Sequence, residues 1–151
     1  MEKDIQNILE ELFKLIGIEV KIEITEDKEE GEVLYKVELD PGESAGLLIG
    51  LHGSTLTAIQ SFVAIAIKQK TGEWVKINLD IAGWSEKQNQ RLIEMATQTA
   101  ARAKQTGEEQ KLYNLTPSQR RIVHKALSTD TDVITTSEGE DRDRYLIVKP
   151  K

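Results

Sequence analysis

Apolar residues first recur at spacings of three and four, at Ile5, Ile8, Leu9, Leu12, Phe13 and Ile16. This pattern predicts an amphipathic helix, and Gly17 ends it. The period then drops to two. Ile18, Val20, Ile22 and Ile24 alternate with Glu19, Lys21 and Glu23, the pattern of a half-buried strand, and the polar stretch EDKEEGE turns the chain. Val33, Tyr35, Val37 and Leu39 predict a second strand, stopped by Pro41 and Gly42. A short apolar helix around residues 44–49 leads into Gly50. Beyond Gly53, the residues Leu56, Ile59, Val63, Ala66 and Ile67 mark a longer helix that closes near Thr71 and Gly72. Val75, Ile77, Leu79 and Ile81 form a third strand. The order αββααβ predicts an α/β (α+β) sheet with helices on one face.

The pattern restarts near residues 82–85, which divides the chain into 1–83 and 84–151. Ser85 followed by Gln88 reads as a capping box opening a long connecting helix to Thr106, which Gly107 ends. The segment EEQKLYNL offers an edge strand. Thr116, Pro117 and Gln119 give a second helix start, and that helix runs to about Ser128. The last segment reads as a hairpin: VITT, a polar loop SEGEDRD, and YLIVK. Internal repeats and low-complexity stretches are absent.

Two stretches carry candidate chemistry. In LLIGLHGSTL, Gly50 and Gly53 flank Leu51 and His52 between two predicted helices, with Ser54 and Thr55 at the start of the second. Such a loop presents backbone N–H groups beside the positive end of a helix dipole, and bare glycines let a sugar–phosphate chain come close. A hydroxyl at Ser54 or Thr55 is placed to cap that helix or to touch a phosphate. A tight interhelical turn explains the same residues without a ligand. In the helix TPSQRRIVHKALS, Ile122, Val123 and Ala126 share one face. Arg120, Arg121, His124 and Lys125 share the other, with no acid among them. Arg120 and His124 are four apart and form one ridge suited to a phosphate or an unstacked base; a solvated basic face explains them equally well. No nucleophile or carboxylate is paired with His124, so catalysis is not expected.

Charge sharpens this picture. The 151 residues carry a formal net charge of −6, which argues against a polyanionic partner, but the charge is unevenly spread. Residues 1–43 hold 14 acids and 5 bases, residues 44–128 hold 6 acids and 11 bases, and the remainder 6 acids and 4 bases. The positive excess coincides with both candidate sites, and local field outweighs the total for such a ligand. A hydrophobic fraction of 38% indicates a folded chain. The absence of cysteine, with only His52 and His124 as imidazoles, leaves no basis for a disulfide, a metal site or another cofactor. No apolar run approaches the ~20 residues of a membrane span, and the acidic start is unlike a signal peptide; a cytoplasmic protein without membrane insertion is expected.

The GLHG loop, after two strands and between two helices with a strand to follow, resembles that of the type II KH domain, which clamps about four nucleotides. Arg120-x-x-x-His124, on a helix opened by LTPSQR and followed by DVITTSEGEDRDRYLIVKPK, resembles the R-three-H (Arg-xxx-His) single-stranded nucleic acid-binding domain. Joined in this order they resemble the bacterial Jag family, also called KhpB or SpoIIIJ-associated proteins, over almost the whole chain. The resemblance implies a non-enzymatic regulator that binds single-stranded RNA, with single-stranded DNA as a second candidate, and that is linked to cell elongation and division. It also implies a small KH-only protein or a second copy as partner. Three departures stand out: Leu51 and His52 replace the usual Lys or Arg, AGWSEK replaces a basic, tyrosine-containing stretch so that Trp84 is expected to pack, and the N-terminal Jag domain is expected to be missing. The rival reading is a protein–protein adaptor or dimerisation module, supported by the acidic first 43 residues and the GxxG centre without Lys or Arg.

Overall fold

The computed structural model describes residues 1–29 and 31–151, without the side chain of residue 29. The chain packs as two units, Met1–Trp84 and Ser85–Lys151. In the first, α1 (Glu2–Ile16) is followed by β1 (Lys21–Glu29), β2 (Glu32–Asp40), α2 (Ala45–Ile49), α3 (Ser54–Thr71) and β3 (Lys76–Ile81). The strand order is β1-β2-β3, with β1 antiparallel and β3 parallel to β2. Alternation decides which sheet face is covered. Tyr35, Val37 and Leu39 of β2 and Ile77, Leu79 and Ile81 of β3 are buried against Ile5, Leu9 and Phe13 of α1 and Leu56, Ile59, Val63 and Ile67 of α3. Gly17 closes α1 in the left-handed conformation, its N–H donating to the Phe13 and Lys14 carbonyls.

Two strand limits differ from those the alternation predicts. β1 starts at Lys21 rather than at Ile18, because Lys21 pairs with Asp40, the last residue of β2, and the ladder between the two strands ends there. Ile18 and Val20 still pack against the core. β1 also runs on through Glu26, Asp27 and Lys28, so most of the polar EDKEEGE stretch is ladder rather than turn; Glu30 lies outside the described residues. Charged side chains suit an edge strand, whose open backbone would otherwise invite pairing with another chain. At the opposite edge, the β3 amide of Leu79 donates to the Gln60 side chain of α3 at 3.0 Å.

The second unit contains α4 (Trp84–Thr106, its first residue packing with the first unit), β4 (Gln110–Leu112), α5 (Pro117–Leu127), β5 (Val133–Glu138) and β6 (Tyr145–Pro150). Its sheet order is β4-β6-β5, with both pairings antiparallel. Leu92, Ala96, Ala100 and Ala103 of α4 are buried with Val123, Leu127, Val133, Leu146 and Val148. The long helix is therefore core of this unit from Leu92 onward and not a free-standing connector. It starts at Trp84, which puts Ser85 inside the first turn instead of at the cap position. Among the described residues, no single helix is long and apolar enough to cross a membrane.

Candidate nucleic-acid interface

Gly50 ends α2 with φ 73° and ψ −174°, and residues Leu51–Gly53 form one tight turn before α3. His52 (φ 52°) and Gly53 (φ 79°) are both left-handed; glycine adopts this region freely and histidine more readily than most residues. The missing Cβ atoms have internal explanations. A Cβ on Gly50 would stand 2.2 Å from the Thr55 Oγ1 and 2.8 Å from the Thr55 backbone nitrogen. A Cβ on Gly53 would stand 2.2 Å from Cη2 of Trp84.

Three amides of the loop have partners within the chain. Gly50 N–H donates to the Gly46 carbonyl at 3.0 Å, Gly53 N–H to Gly50 at 3.4 Å, and Ser54 N–H to Leu51. The glycine amides, which the sequence pattern nominates for a ligand, are thus used within the chain. Leu51 and His52, between the two glycines, are both exposed. Gly53 is the N-cap of α3 and no side chain caps this helix, so neither Ser54 nor Thr55 acts as a cap. Ser54 is exposed and free to meet a ligand, whereas the Thr55 side chain sits over Gly50.

In the second unit Thr116 and Gln119 form a complete capping box: Gln119 N–H donates to Thr116 Oγ1 at 3.2 Å, and Thr116 N–H to Gln119 Oε1 at 2.8 Å. With Pro117 in the first turn, this fixes the start of α5, and burial of Val123 and Leu127 fixes its rotation. Arg121, His124 and Lys125 are consequently exposed, and Arg120 is half-buried. Arg120 and His124 are held by separate partners rather than by each other. The Arg120 Nη1 donates to the Leu115 carbonyl at 2.7 Å, and His124 Nδ1 shares a hydrogen bond with the Thr135 hydroxyl. If Thr135 donates, the ring proton sits on Nε2, away from the strand.

Arg120, Arg121 and His124 line an open concavity of about 420 Å³ together with Pro117, Thr135, Ser137 and Arg144. Three cationic guanidinium groups, an imidazole and two hydroxyls meet there, and no carboxylate lines it. Such a lining suits the oxygens of a phosphodiester. Lys125 lies on the same helix outside this lining. Thr135, Ser137 and Arg144 escaped the sequence reading. The available signal was the alternation Val133, Thr135, Ser137 in β5, which puts two hydroxyls on the strand face that begins with a buried valine.

A glycine loop between two helices of an αββααβ sheet, followed by a capped basic helix beside an antiparallel sheet, defines a KH domain followed by an R-three-H domain. Residues 6–81 match the KH domain of KhpA and KhpB, and residues 90–150 match the R-three-H domain. The chain belongs to the KhpA/KhpB family of KH proteins, in agreement with its Jag-type pattern. Similar proteins include the RNA-binding protein KhpB of Clostridium symbiosum, 29% identical over 143 residues, covering 95% of this chain and 63% of the relative. The Bacillus subtilis KhpB is 28% identical over 133 residues, covering 87% and 62%. The KhpB of Streptococcus pneumoniae serotype 2 is 23% identical over 148 residues, covering 96% and 45%. The chain spans less than two thirds of the length of these relatives.

Proposed function

We propose that this chain binds single-stranded RNA without catalysis, through the GLHG loop of its KH domain and the Arg120/His124 face of its R-three-H domain. The observation that carries the reading is the concavity of Arg120, Arg121, His124 and Arg144, free of carboxylates in a chain whose net charge is −6. The names of the similar KhpB proteins point to the same ligand. In the first unit Leu51 and His52 are exposed and Ser54 offers a hydroxyl, and in the second Arg121 and Lys125 are exposed cations. The same reading makes the protein a cytoplasmic RNA-binding regulator that acts in cell elongation and division.

Titration of labelled single-stranded RNA tests the reading with wild type, Leu51→Asp with His52→Asp, and Arg120→Ala with His124→Ala. Both double variants are expected to lose affinity. RNA binding is ruled out if wild type does not bind or if both variants bind as wild type does. Competition by DNA of the same sequence reports the preference between the two polymers.

One observation favours a second reading, an adaptor or dimerisation module. Leu47, Leu51, Phe62 and Ile65 are exposed around α2, the loop and α3, with Leu51 78% exposed. Exposed apolar side chains of this kind suit a protein partner such as a small KH-only chain or a second copy. Sedimentation of the isolated chain across concentrations, without RNA, checks self-association.

A further inference from the structure

We propose that Trp84 is the positioning residue of the GLHG loop: its indole fills the space of the missing Gly53 Cβ and sets the backbone that presents the exposed Leu51 and His52. The proposal rests on the loop being an RNA contact. Three atoms of the six-membered ring, Cη2, Cζ3 and Cζ2, lie 2.2, 2.7 and 3.1 Å from where that Cβ would stand. Gly53 is buried, and Trp84 is half-buried against the core of the first unit. Within the turn the Gly53 N–H reaches the Gly50 carbonyl at 3.4 Å, a long hydrogen bond. Packing of Gly53 on the indole therefore adds a constraint on the backbone that this bond alone supplies weakly.

The route by which Trp84 arrives is itself strained. Ala82 (φ 50°) and Gly83 (φ 68°) are consecutive left-handed residues between β3 and α4. Alanine has no polar side chain to offset that conformation, and Ala82 is exposed, so packing of its own methyl does not offset it either. This turn brings the first residue of α4 back beneath the loop. Strain of this kind persists where the surrounding structure over-determines it, and the seated indole contributes to doing so. Trp74, the other tryptophan, is 68% exposed and stands near Lys68, so it can be replaced without touching the loop.

The test uses the full chain with Trp74→Phe, which leaves Trp84 as the sole tryptophan, and with Arg120→Ala and His124→Ala, so that the remaining affinity belongs to the loop. An oligouridylate is the probe, followed by anisotropy of a labelled copy and by Trp84 emission with an unlabelled one. Trp84 emission is expected to change and saturate with the anisotropy. Trp84→Leu is expected to weaken binding on the order of tenfold, and Trp84→Phe to recover most of it. Proton spectra are expected to show the Gly53 α-protons moved by the indole ring current, and this shift to vanish in Trp84→Leu. A folded Trp84→Leu chain that binds like its parent overturns the proposal, as does emission that stays constant while anisotropy rises. An unshifted Gly53 overturns it without any RNA. If the parent binds no oligouridylate, or binds no better than its Leu51→Asp, His52→Asp derivative, the loop is not an RNA contact. A normal Gly53 shift in that case assigns Trp84 to structure alone, which also ends the proposal.

Discussion

At Gly53 a methyl group meets two obstacles of different origin, a left-handed backbone and the Trp84 ring. Gly53→Ala is expected to lower stability by about 1–3 kcal/mol, the sum of the conformational cost and of overpacking. In a Trp84→Leu background only the conformational part remains, so urea denaturation of the double variant should show less than the added losses. Gly50 allows no such relief, because a methyl there meets the Thr55 backbone nitrogen as well as its side chain. A different residue-level effect operates on the open face of the first sheet. Glu38 of β2 pairs with Glu23 of β1 and with Asp80 of β3, a row of three carboxylates. Desolvation, and after it Asp80 and Glu23, raise the Glu38 pKa. The folded chain therefore holds this proton more tightly than the unfolded chain does. Stability falls as pH rises from the ordinary carboxylate range through the raised value, and the whole penalty is present at neutral pH. Since Glu38 is largely exposed, Glu38→Gln should stabilise at neutral pH by only about 0.2–1 kcal/mol and lose that advantage in acid. Denaturation at two pH values measures both.

Among the elements, α5 is defined by local chemistry more than any other, since its cap, its proline and its buried stripe agree. Thr116→Ala removes the acceptor of the Gln119 amide and should cost about 1 kcal/mol in thermal or urea unfolding. Local agreement of this sort is also what made elements legible in the sequence. The stripe Ile5, Leu9, Phe13 and the alternation Tyr35, Val37, Leu39 are periodic, and these residues are buried. Legibility failed where pairing with a distant segment decides. The end of β1 among charged residues depends on β2 running beside it, and the start of α4 on the left-handed turn at Ala82 and Gly83. The site shows the same division. Arg120 and His124 are four apart on one helix and could be read together, whereas Thr135, Ser137 and Arg144 join them only once β5 and β6 have paired and α5 has docked. The loop was legible as a glycine pair, but what occupies the space beside each glycine, Thr55 at Gly50 and, at Gly53, Trp84 thirty-one positions beyond it, depends on the folded chain.

For the molecule as a whole, the proposed function puts two contact sites on one chain, and binding at one would raise the effective concentration of the strand at the other. The two sites nevertheless act by different physics. The R-three-H concavity offers full charges, and each phosphate neutralised by a side-chain cation releases counterions. The KH loop offers amide dipoles at the start of a helix, which orient a phosphate with only partial charge. Salt dependence therefore separates them. On plots of log affinity against log salt concentration, Arg120→Ala and Arg144→Ala should each reduce the slope by roughly 0.7 if the lost cation met one phosphate of a single strand. Leu51→Pro removes one backbone N–H of the loop and should lower affinity at every salt concentration while leaving the slope nearly unchanged. Equal slopes for wild type and both arginine variants would mean that the concavity holds no phosphate. A fall in slope for the loop variant would mean that losing the loop also releases the strand from the R-three-H face, and that the two domains grip it as one.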